Sequence, residues 1–144
     1  MTTVHTPFSI REFDNAAHRS QVIELWRASF FYSTPHNEPG LVIDKKLVMD
    51  DGLFYVALAD GEVVGTVMAG YDGHRGWLYC VAVAPEQRNL QVGLALVRHA
   101  ESTLEARGCL KINLQITAGN EAVSDFYARL GYRIEQRVSM GKIL

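Results

Sequence analysis

The sequence has few of the features that mark metal-binding, secreted or membrane proteins. Only two cysteines occur among 144 residues, Cys80 and Cys109, and their spacing is not that of a metal site. No apolar run approaches the roughly 18–20 residues that cross a bilayer. The first residues, MTTVHTPFSI, lack the basic and then apolar order of a signal peptide. We therefore expect no metal site, no membrane association and a cytoplasmic protein with reduced thiols.

An excess of one charge is also lacking. The net charge is −2, from 14 basic and 16 acidic residues, so the chain shows no electrostatic footprint for nucleic acid. What is present is an ordinary globular composition, with 48% hydrophobic and 21% charged residues. The length suits one domain over residues 1–144 with a sizeable core, and there is no internal repeat or linker.

Hydrophobic periodicity predicts alternating strands and helices. Strands are expected at 8–13, 53–59, 62–71, 77–84, 111–116 and 132–144. Helices are expected from Asp14, over 41–49, over 92–107 and from the N-cap Asn120 to Gly131. The first strands should form an antiparallel meander, with a tight turn at Asp60-Gly61. Strands 77–84 and 111–116 flank a helix, so they should run parallel. The fold class is therefore α/β with a mixed sheet.

The segment PEQRNLQVGLAL, residues 85–96, follows an apolar strand and opens a helix. A helix N-terminus presents unpaired backbone N–H groups and a partial positive charge, which suit a phosphate. Arg88 adds a cation, but Gln91 stands where such turns usually have a central glycine. On this local pattern alone, a phosphate cradle and a plain strand-to-helix turn both remain open.

Two longer motifs extend this pattern. Val81-Ala82-Val83-Ala84-Pro85-Glu86 leads into Arg88-Asn89-Leu90-Gln91-Val92-Gly93, and Asn120 is followed seven residues later by Tyr127 and then by Leu130-Gly131-Tyr132. In these motifs and in element order over nearly the whole chain, the sequence resembles the GNAT superfamily of N-acetyltransferases. The stretches GEVVGTVMAGYDGHRG and PHNEPG also look like those of a group of short bacterial members of unassigned substrate. The resemblance departs at Gln91 and Asn89, where the family often has glycine.

The resemblance implies a GNAT fold with helices on both sheet faces and a parallel strand pair that splays apart. It implies acetyl-CoA as cofactor, with backbone hydrogen bonds to its pantetheine arm from Val81 and Val83, and a further bond from Asn120. The pyrophosphate would be held by the backbone N–H groups of Arg88, Asn89, Leu90, Gln91, Val92 and Gly93. The implied reaction is direct acetyl transfer to a primary amine of a small molecule, peptide or protein.

The resemblance makes Tyr127 the expected catalytic acid, since a phenol with a pKa of about 10 can donate to the departing thiolate at neutral pH. Without the resemblance, a core aromatic on an apolar helix face explains Tyr127 better. The usual glutamate positions of the family are Trp77 and Gln115 here, and neither can accept a proton. Asp72 and His74 in the hairpin, Tyr79 on the strand, and a chain of waters all remain candidates for the base. An Asp-Gly turn with solvated charges also explains Asp72 and His74.

The resemblance implies that the aromatic-rich segment LWRASFFYSTPHNEPG, residues 25–40, forms the wall of the acceptor site. The first helix has an apolar stripe at helical spacing, formed by Val22, Leu25, Trp26, Ser29 and Phe30. Phe31 and Tyr32 lie outside this stripe and could line the acceptor site, while Glu38 could attract a cationic amine. Trp26 and Phe30 lie on the stripe and are better explained as core. A homodimer is an open alternative to a monomer. A non-catalytic acyl-CoA sensor is the competing function, supported by Gln91 and the missing glutamates. A doubly wound nucleotide-binding domain is disfavoured by the three hairpin-linked strands before the cradle.

Overall fold

The computed structural model describes residues 7–30, 34–88 and 91–144. It contains two compact units, Met1–Leu114 and Gln115–Leu144, so the expected single domain over 1–144 stays a prediction. The described residues of the first unit form five strands and three α-helices: β1 Ser9–Glu12, α1 Asn15–Ser29, α2 Pro39–Met49, β2 Phe54–Ala59, β3 Glu62–Tyr71, β4 Gly76–Val83, α3 Val92–Ala106 and β5 Ile112–Asn113. The second unit holds α4, Glu121–Arg129.

The five strands form one mixed sheet in the order β1-β2-β3-β4-β5. The pairs from β1 to β4 are antiparallel, and β5 runs parallel to β4, as the crossover through α3 predicts. Asp60 and Gly61 join β2 to β3 with φ of +50° and +77°. Two positive φ values are what a tight two-residue hairpin turn requires. The mixed α/β fold and its meander are thereby confirmed.

Helices cover both faces of the sheet, as neighbouring residues of β3 demonstrate. Successive side chains of a strand point to opposite faces. Gly65 faces α3, where an added Cβ would meet Leu96 and Val92. Thr66 faces α1, because its hydroxyl accepts a hydrogen bond from the Trp26 indole. β3 is therefore buried between two helices, which explains its nearly continuous apolar sequence.

The helix ends follow the expected local chemistry. Asp14 caps α1, and its carboxylate accepts from the Ala17 N–H at 2.8 Å. After α3, Gly108 has a φ of +91°, the left-handed conformation that ends many helices. Asn120 precedes α4, but its side chain makes no capping hydrogen bond there. The predicted side-chain capping role of Asn120 is therefore wrong.

Two strand predictions are also corrected. The segment 111–116 alternates as a strand, yet only Ile112–Asn113 is one. Residues 114–144, all of them described, contain no strand, so the strand predicted over 132–144 is wrong. Alternation determines which side chains share a face, but a strand also requires a neighbouring backbone with which to pair. Ile134, Val138 and Met140 are each about nine-tenths exposed, at 91%, 89% and 91%.

Candidate functional site

A β-bulge interrupts the middle of β4. Thr66 of β3 pairs with Ala82, and Met68 pairs with Tyr79, so β4 has one residue more than β3 between these pairs. Cys80 lies in the bulge with a φ of +51°. A bulge bends its strand and leaves one residue out of the ladder. Consequently Val81 and Val83 follow a local change in strand direction, and both are half-buried.

The parallel pair β4–β5 is joined at one end only. Gly76 pairs with Ile112 and Trp77 pairs with Asn113, and the β5 ladder then stops while β4 continues to Val83. From Leu78 onward, β4 therefore has its β3 ladder on one side and no β5 ladder on the other. An unpaired strand edge offers backbone N–H and C=O groups to an extended ligand. Val81 and Val83, the residues expected to bind a pantetheine arm, lie on this part of β4.

Gln91 lies in the turn between β4 and α3, at the position where a glycine was expected. Pro85–Gln87 form a short 3₁₀ turn, and α3 begins at Val92. Gln91 precedes α3 with φ +62° and ψ +19°, in the left-handed region, and its exposed side chain makes no capping hydrogen bond. Glycine adopts this conformation freely, whereas glutamine adopts it at a cost of about 1–2 kcal/mol. The turn thus keeps the backbone conformation that the expected glycine would favour.

Other parts of the expected cradle lie close to the end of β4. The Arg88 Nε donates to the Val83 carbonyl at 3.3 Å, which holds this exposed guanidinium beside the strand end. Gln87 has a buried Oε1 with no hydrogen-bond partner among the described residues. Gly93 is half-buried in the first turn of α3. Asn89 and Leu90 lie outside the described residues.

The hairpin candidates for the base have clear local roles. Asp72 is fully exposed, and its Oδ1 accepts from the backbone N–H groups of His74 and Arg75, both at 2.7 Å. The bonds from Arg75 and then His74 hold the pKa of this carboxyl below its ordinary value. A carboxylate stabilised in this way is a weaker base. His74 is exposed in the same turn.

Tyr79 lies on β4 one residue before the bulge and is 49% exposed. Partial burial, and then the negative charge of Asp72, raise the pKa of its phenol. The phenol therefore stays protonated at neutral pH and can donate a proton, but it is poorly suited to accept one.

Neither cysteine has the properties of a nucleophile. Burial raises the pKa of the Cys80 thiol to about 12. Cys109 is buried, and its thiol donates to the Lys111 carbonyl at 3.2 Å. Reactive cysteines instead have lowered pKa values in electropositive, accessible surroundings.

In the second unit, Asn120 and Tyr127 belong to the same short helical segment. Asn120 is exposed before the first residue of α4, and Tyr127 is buried near its end. The Tyr127 ring makes edge-to-face contacts with Phe126 and Tyr132, with centroids 5.0 and 5.7 Å apart. Burial raises the pKa of the Tyr127 phenol to about 12, which keeps the hydroxyl as a donor across the physiological range.

The expected acceptor residues are only partly described. Phe31 and Tyr32 lie outside the described residues. Glu38 is exposed and caps α2 by accepting from the Leu41 N–H at 2.8 Å. Its pKa is lowered by the backbone hydrogen bonds from Leu41 and Gly40 and, to a smaller extent, by the positive charge of Arg27, which lies 3.7 Å away. The Glu38 carboxylate therefore already interacts with the N-terminus of α2 and with the Arg27 guanidinium.

Sequence reasoning missed the groups that hold the bulge. Thr66 is a buried polar residue in an apolar strand, and its hydroxyl donates to the Cys80 carbonyl at 2.8 Å. Trp26, fully buried on α1 as the stripe predicts, donates its indole N–H to the same hydroxyl at 2.8 Å. A lone threonine in an apolar run was the available signal, because a buried hydroxyl needs partners.

Among the helices that the structure describes, none combines the length and the apolar character needed to cross a membrane. Within 7–30, 34–88 and 91–144, no group of three or more His, Cys, Asp or Glu side chains could hold a metal ion.

Solved structures with the same fold are numerous. Ard1 from Thermoplasma volcanium is 25% identical with a TM-score of 0.77, and the match covers 89% of this chain and 84% of that one. PaiA N-acetyltransferase from Thermoplasma acidophilum, in complex with coenzyme A, is 19% identical with a TM-score of 0.79, covering 92% and 93%. Glucosamine-6-phosphate N-acetyltransferase from Arabidopsis thaliana is 22% identical with a TM-score of 0.69, covering 95% and 98%.

The family model of the acetyltransferase (GNAT) family matches residues 19–132. This range includes the bulge of β4, the left-handed Gln91 and the whole of α4. The family resemblance that the sequence motifs indicated is therefore confirmed. The protein belongs to the acetyltransferase (GNAT) family, which uses acetyl-CoA as its acetyl donor.

Proposed function

We propose that the protein transfers the acetyl group of acetyl-CoA directly to a primary amine of a small molecule, peptide or protein. The observation that carries the proposal is the edge of β4. This strand loses its parallel partner after Trp77, passes through a bulge at Cys80 and ends at the left-handed turn before α3. An extended ligand with a phosphate at one end suits such an edge.

The residues present fit acetyl-CoA at this edge. Backbone groups of Val81 and Val83 would hold the pantetheine arm, and the first N–H groups of α3 would hold the pyrophosphate. Backbone N–H groups bind phosphate whatever the side chains are, so Gln91 does not remove the site. The buried Oε1 of Gln87 at the same turn can accept a hydrogen bond from an N–H or O–H group of the ligand, but not from its ionised pyrophosphate. Asn120 would contribute an amide to the same arm.

When bound, acetyl-CoA supplies a thioester whose C–S bond breaks as the amine nitrogen bonds to the carbonyl carbon. A backbone N–H in the segment Val81–Val83 would stabilise negative charge on the thioester oxygen. Tyr127 would donate its phenolic proton to the leaving sulfur and then recover a proton from solvent. Its raised pKa keeps the hydroxyl protonated, and therefore present as a hydrogen-bond donor, at neutral and mildly alkaline pH.

The acceptor amine has to lose its proton, since an alkyl ammonium has a pKa of about 10.4. We assign the first acceptance of this proton to His74 or to a chain of waters. Asp72 is the weaker candidate because two backbone N–H groups stabilise its charge. Tyr79 is also weaker, because its raised pKa keeps it protonated. Phe31, Tyr32 and Glu38 stay proposed as the acceptor wall.

Direct transfer is preferred over an acetyl-cysteine route. A thiol with a pKa of about 12 is almost entirely protonated at neutral pH, and the thiolate is the form that attacks. The amine itself is therefore the nucleophile in the proposed reaction.

A thiol-release assay with acetyl-CoA and a panel of polyamines, amino acids, peptides and aminoglycosides tests the proposal. Saturable thiol release together with a mass gain of one acetyl group on one amine is expected. Saturable acetyl-CoA binding with no transfer to any amine of the panel would contradict the proposal and favour a sensor. The Tyr127→Phe variant, run in parallel, separates enzyme turnover from spontaneous thioester hydrolysis.

A further inference from the structure

Groups from three different elements form one hydrogen-bonded chain beneath the bulge of β4. The Trp26 Nε1–H of α1 donates to the Thr66 hydroxyl of β3 at 2.8 Å, and this hydroxyl donates to the Cys80 carbonyl of β4 at 2.8 Å. The side chains of Trp26 and Thr66 have no exposed surface. The bond from Trp26 to Thr66 is therefore shielded from competing water, and the bond from Thr66 to the half-buried Cys80 is partly shielded.

The direction of each hydrogen bond from Trp26 through Thr66 to Cys80 is fixed by the chemistry of the groups. An indole N–H can only donate, so the Thr66 hydroxyl accepts from Trp26. The hydroxyl carries a single proton, and that proton goes to the Cys80 carbonyl. Trp26 is itself held in place, because its ring stacks on Phe54 with centroids 5.7 Å apart and planes 15° from parallel.

Holding the Cys80 carbonyl also fixes a second group. The Cys80 C=O and the Val81 N–H belong to the same peptide unit, which is planar and trans, so the two bonds point in opposite directions. The Val81 N–H is therefore directed away from Thr66. Cys80 has a φ of +51°, a conformation that a residue with a side chain holds only where its surroundings favour it.

We propose that Thr66, backed by Trp26, is a positioning residue for acetyl transfer: by anchoring the Cys80 carbonyl, it sets the direction of the Val81 N–H at the acetyl-CoA edge of β4. This inference rests on the proposed function for the use of that N–H. The orientation of the peptide unit is independent of it and can be measured in the free protein.

The decisive pair of variants is Thr66→Val and Thr66→Ser. Valine keeps the shape of threonine but removes the hydroxyl, whereas serine keeps the hydroxyl and removes the methyl group. We expect Thr66→Val to weaken acetyl-CoA binding and lower kcat/KM by on the order of ten- to a hundredfold, the scale of a small misplacement of a reacting group. Thr66→Ser should stay within about threefold of the parent, and Trp26→Phe should fall between the two.

A control variant separates positioning from stability. Ile43→Val trims a fully buried side chain of α2 and lowers the melting temperature without touching the chain of hydrogen bonds. Its kcat/KM per folded molecule should equal that of the parent. If Thr66→Val lowers only the melting temperature, or if Thr66→Ser loses as much activity as Thr66→Val, the positioning role is wrong.

The ¹⁵N–¹H resonance of Val81 in the free protein completes the test. It should shift in Trp26→Phe and Thr66→Val, and stay in place in Ile43→Val. Trp26→Phe retains the Thr66–Cys80 bond, so it supplies this readout if Thr66→Val does not fold. An unmoved Val81 resonance in Trp26→Phe and Thr66→Val would overturn the inference. If the two variants show these shifts but the parent protein transfers no acetyl group, the proposed function alone is contradicted.

Discussion

Gly65 of β3 lies directly against Leu96 of α3. A methyl group added at Gly65 would be 2.8 Å from Leu96 Cδ1, 3.0 Å from Val92 Cγ1 and 3.1 Å from the Ala82 carbonyl oxygen. The helix whose first turn is proposed to bind pyrophosphate is thus seated against the sheet at a residue without a side chain.

Gly65→Ala should therefore displace the start of α3. Overpacking of a buried contact typically costs about 1–3 kcal/mol, and we expect a loss of unfolding free energy in this range. Acetyl-CoA affinity, measured by calorimetry, should fall as well. Gly141→Ala is the matched control, because an added methyl group there meets nothing within 4 Å. Unchanged stability in Gly65→Ala would contradict the close seating of α3.

Gln91→Gly should leave acetyl-CoA affinity unchanged or tighten it, because the backbone N–H groups are proposed to bind the pyrophosphate. Relief of the left-handed conformation should raise the unfolding free energy by up to about 1 kcal/mol, partly offset by the greater freedom of glycine in the unfolded chain. Asp50→Gly relieves a similar conformation, φ +47°, after α2 and should change stability alone. A large loss of affinity in Gln91→Gly would mean that the glutamine side chain makes the site.

Tyr127→Phe removes only a hydroxyl and should lower kcat by one to a few orders of magnitude, since positioned acid catalysis contributes about 10²–10⁴-fold. Acetyl-CoA affinity and melting temperature should hold. Tyr132→Phe, in ring contact with Tyr127, is the control and should keep its kcat. A purely structural Tyr127 would show the opposite pattern, with a lower melting temperature and full kcat.

The pKa of Tyr127 also predicts a pH profile. Burial raises this pKa to about 12, so the phenol stays protonated as pH rises past its ordinary value of about 10. The stabilisation of the folded state by the buried neutral phenol is fully present below about pH 10 and is lost as pH rises towards 12. The kcat of the parent should therefore show no descending limb from Tyr127 below about pH 10. A tyrosine-like limb that is absent in Tyr127→Phe and falls near pH 9 would contradict this assignment.

His74→Ala should flatten the acidic limb of the pH–rate profile if His74 accepts the amine proton, because the variant has no imidazole to act as the base. Asp72→Asn should keep the limb. The backbone hydrogen bonds lower the pKa of the Asp72 carboxyl. The charged carboxylate therefore stabilises the turn at any pH above the ordinary pKa of an aspartate, and this stabilisation is lost as pH falls through the lowered pKa. Asparagine can still accept the two backbone N–H groups of the turn. If both variants retain the limb and the rate, waters carry the proton.

Cys80→Ala should retain acetyl transfer, because the thiol is proposed to take no part and the Thr66 hydroxyl holds the backbone carbonyl of residue 80, not its side chain. Mass spectrometry of the parent incubated with acetyl-CoA alone should find no acetylated cysteine. A covalent acetyl-enzyme at Cys80 would replace direct transfer by a two-step route.

Local patterns were enough to predict much of the fold. The bounds of β3 at 62–71 and the turn at Asp60-Gly61 followed from alternation and a strong hairpin dipeptide. The parallel pairing of β4 with β5 followed from the intervening helix. The extra residue at Cys80 could not be predicted, because a continuous apolar run hides a change of register. The bond from Trp26 to Thr66 joins residues 40 positions apart, and no local pattern specifies such a pair.

The same reasoning explains the wrong prediction at the C-terminus. Residues 132–144 alternate well, but alternation carries no information on whether a partner strand exists. In the candidate site, the cradle and the role of Tyr127 come from the family resemblance and stay predictions. The turn role of Asp72 and the capping role of Glu38 became visible only with their hydrogen-bond partners.

The exposed, left-handed Gln91 has a practical consequence for measuring ligand binding. Gln91→Cys would exchange one side chain for another in the same conformation and place an accessible thiol, with an ordinary pKa of about 8.5, at the mouth of the cradle. The two native thiols would compete poorly for a maleimide dye, since Cys80 has a pKa of about 12 and Cys109 is buried. A fluorophore at position 91 would thus make the protein a direct optical reporter of acetyl-CoA occupancy, with no need to know its acceptor.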